Sequence, residues 1–442
     1  MVKNNVRNVA LTILDDVLTG EAYSNLQLNE AIKNEAVSKK DVGLLTELVY
    51  GTLQRKITLE YLIEPFIKTK LKGWMKRLLI MSAYQYVYLD KVPNHAIINE
   101  AVNIAKVRGD LHNSKAINAI LRNFMSTPLR TLDEIKHDDK KLSIESSVPL
   151  WLTKHWITHF GYEKTREMCL LSLTPPDTTV RVNTTRISVE DAVERLESNG
   201  YTVEIDKDID RCLHVKGEAI VNDRIFKDGL LSVQDKSSMF VAEILNPKPN
   251  STVLDTCSAP GGKTCHIAEI MNQTGHVDAF DIHPHKIDLI DFNIKKLRLK
   301  NVTAAVHDAT QPFDQTYDYI LVDAPCSGFG VMRRKPEIKY DKTSKDVESL
   351  WHLQLEILEN ASKSLAPNGE LVYSTCTIEQ MENENVVYSF LKANPEFEFA
   401  PFIDPRTNQE TKTNQETKTL QLLPQDYNSD GFFITKIKRK ES

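Results

Sequence analysis

The sequence predicts a multidomain chain: an N-terminal all-α bundle, a small α+β module and a C-terminal α/β domain on a parallel sheet. Three observations lead there. A chain of 442 residues exceeds what one hydrophobic core usually supports. Its first 128 residues repeat apolar positions at helical spacing, and after Leu231 strand-like and helix-like patterns alternate.

The helical spacing is carried by Val6, Val9, Ala10 and Ile13; by Leu79, Ala83, Tyr86 and Val87; by Ile97, Ala101, Ile104 and Ala105; and by Ile117, Ile120, Leu121 and Phe124. Gly20 is expected to close the first helix, and Pro93 to separate two later ones. Residues 129–150, with Asp138-Asp139-Lys140-Lys141 and Ser146-Ser147, lose the periodicity and read as a linker. Residues 151–235 read as the α+β module, with strands at 179–183 and 201–205 around a helix from Val189 to Leu196. Arg181 and Asn183 would share a strand face, either as a phosphate-and-base contact pair or as a solvated face.

Residues 236–442 form the third region. Strands are expected at 253–255, 276–282, 302–307 and 319–323, and after the Pro367-Asn368-Gly369 turn. Helices are expected from Gly262, up to Arg298 and over 343–365. Residues 420–423 and 432–437 read as a closing antiparallel hairpin. Between them Thr-Asn-Gln-Glu-Thr-Lys at 407–412 recurs unchanged at 413–418, a polar repeat expected to form a flexible loop.

The net charge of −6 hides an asymmetry, since residues 1–150 carry +4 and the remainder −10. Arg55, Lys56, Lys68, Lys70, Lys72, Lys76 and Arg77 face only Glu60 and Glu64, a basic run suited to a polyanion. Six cysteines without CxxC or zinc spacing suggest free thiols in a reducing cytoplasm and no metal. Neither a signal peptide nor a spanning helix is expected.

Two cysteines end apolar strands: Cys326 in Val322-Asp323-Ala324-Pro325-Cys326, and Cys376 in Leu371-Val372-Tyr373-Ser374-Thr375-Cys376. Ligands and reactive groups gather at the carboxyl edge of an open α/β sheet, so both thiols should face one crevice. Cys257-Ser258-Ala259-Pro260-Gly261-Gly262-Lys263 follows the first strand of the domain. Small residues there let a backbone approach a ligand, with a helix N-terminus behind. Asp281 lies 20 residues after Gly261, the spacing of a ribose-binding acid, and Asp308 ends the next strand. The set suits an adenosine-containing cofactor, and the missing GxGxxG counts against NAD.

These motifs, in this order, resemble the S-adenosylmethionine-dependent RNA cytosine-C5 methyltransferases of the RsmB/Nop2/Sun family: 257–263, Asp-Ala-Pro-Cys-Ser-Gly at 323–328 and Ser-Thr-Cys-Thr at 374–377. Leu48-Val49-Tyr50-Gly51 and 116–122 resemble the NusB-like RNA-binding domain, and Asp430-Gly431-Phe432-Phe433 also fits. The resemblance implies a Rossmann-like catalytic domain. It makes Cys376 the nucleophile at cytosine C6, gives Cys326 product release and places Asp323 on the cytosine edge. S-adenosylmethionine would be held by 257–263, Asp281, Asp308 and Asp323. Lys286, Arg333 and Arg334 would contact RNA. The NusB-like fusion implies 16S ribosomal RNA as substrate; a monomer that needs no membrane is expected. Four positions depart from the family pattern: Ser258, Lys286, Lys335 and Glu337.

Other readings are a cytosine methyltransferase acting on tRNA, a non-enzymatic RNA-binding scaffold, and a nicotinamide-dependent dehydrogenase. The last would leave both cysteines idle. Pro-Cys as the attacking motif would reverse the roles of Cys326 and Cys376.

Overall fold

A computed structural model describes residues 5–20, 22–411 and 418–440. The chain divides into two compact units, Met1–Pro175 with Met332–Asp341, and Pro176–Val331 with Lys342–Ser442.

The first unit is helical. Val6–Leu18 starts where the Asn5 side chain accepts the Arg7 and Asn8 N–H groups, and it ends two residues before Gly20. Ser24–Lys33, Val42–Gln54, Lys56–Ile63 and Gly73–Tyr88 follow; Pro93 immediately precedes Asn94–Arg108, and Leu111–Ser126 comes next. Leu11, Leu14, Leu45, Leu48, Leu78, Ile117 and Leu121 fill the core with no exposed surface, so the helical spacing reports burial. Of the basic run, Lys68, Lys70, Lys72 and Lys76 are exposed, whereas Lys56 pairs with Glu60 at 3.0 Å and Arg77 is tied to Asp15.

The stretch read as a linker is structured. Asp138–Ser146 is a helix whose first-turn acids, Asp138 and Asp139, favour its N-terminal dipole, and Leu142 and Ile144 anchor it by burial. Two apolar anchors are too few for a periodic signal. Leu150–Phe160 and Tyr162–Leu171 continue the helical unit beyond residue 150, where a mixed pattern was expected.

The second unit holds two sheets. In the smaller, β1 (Thr179–Val182), β2 (Thr202–Ile205), β3 (Cys212–Lys216) and β4 (Leu231–Val233) run in the order β2-β3-β1-β4, all pairs antiparallel. The helix Val189–Ser198 begins at a Ser188 cap and packs Ala192 and Leu196 inward.

The larger sheet comprises β5 (Thr252–Asp255), β6 (His276–Asp281), β7 (Val302–Val306), β8 (Tyr317–Asp323), β9 (Leu365–Thr375) and β10 (Phe397–Phe399). After the small pair β11 (Ile403–Asp404) and β12 (Gln409–Glu410), it is completed by β13 (Thr419–Leu422) and β14 (Phe432–Arg439). Its order is β10-β14-β9-β8-β5-β6-β7, with β13 also on β14. The run β9 to β7 is parallel, and β14 turns the edge antiparallel. This is a Rossmann-like sheet with a hairpin edge, the expected class. In the polar repeat, Gln409 and Glu410 form β12, while residues 412–417 and with them most of the second copy lie outside the described residues.

Candidate active site

Adjacent parallel strands put their carboxyl ends side by side, and β8 and β9 are neighbours with Asp323 opposite Ser374. Cys326 follows β8 by three residues and Cys376 follows β9 directly; their Sγ atoms lie 3.3 Å apart. The Asp323 carboxylate is fixed on both oxygens: Ser374 Oγ donates to Oδ1 at 2.8 Å and Lys263 Nζ to Oδ2 at 2.6 Å. Burial works against the Lys263 charge, but Asp323 overrides it, and nearby Cys376 helps to raise the lysine above its ordinary value. Lys263 thus serves the sulfur side of the site, not only the cofactor loop to which its motif assigned it.

The Cys326 thiol is pushed well above the ordinary thiol range by its hydrogen bond with Cys376 and then by burial, with Glu382 and Asp323 adding like-charge repulsion. Main-chain contacts lock the surroundings: Gly330 N–H donates to the Cys376 carbonyl at 3.0 Å, and Gly431 N–H to the Gly330 carbonyl at 2.8 Å. A Cβ at Gly330 would lie 1.9 Å from the Gly431 oxygen, so the close approach requires glycine.

The glycine loop joins β5 to the helix Gly262–Ile270. Gly261 turns it at φ +96°, in the left-handed region, and no side chain caps the helix. The loop is braced from three sides. Ser258 N–H and Oγ both donate to the Phe280 carbonyl at 2.8 Å, which explains a hydroxyl at that position; Asn293 holds the Pro260 carbonyl at 2.8 Å; and Arg181 holds the Gly262 carbonyl at 3.1 Å. Ala259 lies between, half-buried, and burial pushes the Cys257 thiol up to about 12. Asp281 ends β6 and accepts His283 N–H at 3.0 Å, with Lys286 Nζ at 3.5 Å. Asp308 accepts Thr310 N–H and Oγ1, which hold its carboxyl below the usual range. A Cβ at Gly262 would meet nothing within 4 Å. Open space, an uncapped helix start and the Asp281 carboxylate fit the phosphate-free, hydroxyl-bearing end of an adenosyl group.

Asp255, at the end of β5, was not singled out from the sequence. It is fully buried; burial pushes its carboxyl up to about 7, opposed by the hydrogen bond from Thr264 and reinforced by Asp323. An acid whose folded pKa exceeds its unfolded value of 3.8 takes up a proton on folding between those values, so its contribution to stability falls as pH rises through that window. Melting measured at about pH 5 and about pH 8 should show a larger loss for the natural protein than for Asp255→Asn.

Three of the residues expected on RNA are committed elsewhere. Arg181 is 1 % exposed and forks onto Glu269 at 2.9 and 3.0 Å, with Gln234 on the same guanidinium. Asn183 is equally buried and donates to the Leu297 carbonyl at 3.1 Å. Arg333 is buried in the helical unit on the Thr174 and Pro175 carbonyls at 3.1 and 2.9 Å. A guanidinium used up inside the fold has no donor left for a phosphate. Lys286 and Arg334 remain half-buried. Glu337, a departure from the pattern, accepts Ser24 N–H and Oγ at 3.0 Å and so caps the Ser24–Lys33 helix from within the same unit. Asp206, Cys212 and His214 lie close enough to suggest a metal, yet the Lys236 ammonium stands 2.8 Å from Asp206 and supplies the positive charge there.

With this geometry in place, the comparisons decide the family. Residues 242–438 match the model described as 16S rRNA methyltransferase RsmB/F, residues 4–126 the NusB family, and residues 148–222 the RsmF/B-like ferredoxin-like domain. A probable ribosomal RNA small subunit methyltransferase B of Bacillus subtilis is 40% identical over 100% of both chains. The chain belongs to the RsmB/F methyltransferase family. A Synechocystis protein of the same description is 31% identical, covering 98% of this chain and 99% of its own. The crystal structure of PH0851 superposes with a TM-score of 0.83 at 24% identity, covering 98% of this chain and 99% of that one, and shows the shared fold. In this RsmB/F chain no helix among the described residues is long and apolar enough to cross a membrane.

Proposed function

We propose that the protein transfers a methyl group from S-adenosylmethionine to C5 of a cytosine in 16S ribosomal RNA, acting as a monomer in the cytoplasm. The observation that carries this reading is the pair of sulfurs 3.3 Å apart beside the Lys263–Asp323 ion pair. Cytosine C5 is a poor nucleophile until a thiolate adds at C6. Cys376 forms the S–C6 bond, and the C5–C6 π pair becomes available at C5. Asp323, held by Ser374 and Lys263, would accept the cytosine amino group, and the Lys263 cation beside it would offset negative charge developing at N3. Residues 257–263, with Asp281 for the ribose and Asp308 for the adenine, would hold S-adenosylmethionine, which would supply an electrophilic methyl group and leave as its neutral thioether. Cys326, as a thiolate, then takes the C5 proton; the C5–H electrons re-form the C5–C6 double bond and expel the Cys376 sulfur. The Lys263 cation, which interacts with Cys376, supports this division by favouring the thiolate there.

A base inside an RNA helix must be swung out to reach these groups. Exposed Lys68, Lys70, Lys72 and Lys76 on the helical unit would bind the RNA backbone. Incubating the protein with methyl-labelled S-adenosylmethionine and small-subunit ribosomal RNA should label the RNA, and bisulfite sequencing should place the label at one cytosine. Labelling of tRNA alone, or none, would overturn the ribosomal reading.

A further inference from the structure

Six residues beyond Cys376, the chain places Glu382 and Asn383 at the end of the short turn Gln380–Glu382, both without exposed surface. Each reaches a different cysteine loop. The Glu382 carboxylate accepts Ser327 N–H at 2.8 Å, the amide directly after Cys326. Gln354 Nε2 donates to the same oxygen at 2.9 Å and to the Pro325 carbonyl at 2.9 Å, so both neighbours of Cys326 hang from one network. Asn383 Oδ1 accepts Thr375 Oγ1 at 2.5 Å, and its Nδ2 donates to the Thr377 carbonyl at 3.1 Å, so the side chain brackets Cys376 from both sides. Ser327 and Thr377 hydroxyls close the frame at 2.8 Å, and Tyr373 Oη donates to the Glu382 carbonyl at 2.7 Å.

Burying a carboxylate for structure alone is costly, and Glu382 is not fully satisfied: Oε1 finds no hydrogen-bond partner among the described residues. A helix start needs only one capping group. Here two adjacent side chains each take hold of one reactive loop, and thiol reactivity depends on placement to within about 1 Å.

We propose that Glu382 and Asn383 are positioning residues that set the two sulfurs separately, Glu382 acting on the release sulfur Cys326 and Asn383 on the attacking sulfur Cys376. This rests on the cytosine-C5 reading above. The two steps are separable with two RNAs. A 5-fluorocytosine substrate has no C5 proton to lose, so its covalent adduct reads formation alone, whereas the cytosine substrate reads the balance of formation and release.

Glu382→Ala should leave adduct formation on 5-fluorocytosine RNA within about threefold of the natural protein, slow turnover roughly tenfold or more, and accumulate adduct on cytosine RNA. Asn383→Ala should slow adduct formation itself by about tenfold or more, without accumulation. Two conservative variants guard against mere unfolding. Glu382→Gln keeps an acceptor for Ser327 N–H and should restore release. Asn383→Asp keeps volume and the Thr375 bond but loses the donor, and should still slow formation. Cofactor affinity by calorimetry should be unchanged in all four. Equal losses in both readouts for both residues, or no change in either, would overturn the assignment while the underlying reaction stands. Absence of any adduct with the natural protein would overturn the underlying reading as well.

Discussion

Replacing Cys376 by alanine should lower methyl transfer by about four orders of magnitude and abolish the covalent RNA adduct, as expected when the attacking atom is removed from a group that acts as a unit. Cys326→Ala should instead form the adduct and accumulate it, visible as a protein–RNA band that survives denaturing electrophoresis. The asymmetry follows from the pair itself. With the sulfurs 3.3 Å apart, two negative charges cannot coexist cheaply, and the Lys263 cation favours the charge on Cys376. Accumulation in Cys376→Ala and none in Cys326→Ala would reverse the roles.

The second large effect concerns stability. Arg181→Ala should cost about 3–5 kcal/mol, because it strands the Glu269 carboxylate in a site with no exposed surface. It should also weaken cofactor affinity, since the same guanidinium holds the Gly262 carbonyl at 3.1 Å. Chemical denaturation and calorimetry measure the two losses. Replacing both partners, as Arg181→Met with Glu269→Leu, should restore most of the stability without restoring the grip on Gly262.

What could be read beforehand divides along physical lines. Strand ends, the turn at Gly261 and the two cysteines were legible because each is written in a few consecutive residues whose period or backbone demand is local. Arg181 was misplaced because its partner, Glu269, is 88 residues away in sequence, and alternation along β1 says which residues share a face but not whether that face is covered. Arg333, expected on RNA, was misplaced likewise: a charged run beside a reactive loop reads as open to phosphate until the elements packed on it are known. Glu382 and Asn383 lie just past the recognised motif, where only the carboxylate-amide pair itself offered a signal. The helix Asp138–Ser146 was lost because two apolar anchors do not make a period.

The ten residues Met332–Asp341 belong to the helical unit although they are encoded between β8 and the helix Ser344–Lys363. Within that unit Tyr340 Oη donates to the Leu53 carbonyl at 2.7 Å, Gln54 donates to the Met332 carbonyl at 3.2 Å, and Glu337 serves Ser24. A gene fragment ending at residue 175 would therefore encode an unfinished object, with a buried slot and a helix start missing their occupants. The last piece of the helical unit is translated more than 150 residues after the rest, so its native packing must wait until the ribosome has passed the codons of the catalytic strands β5 and β8.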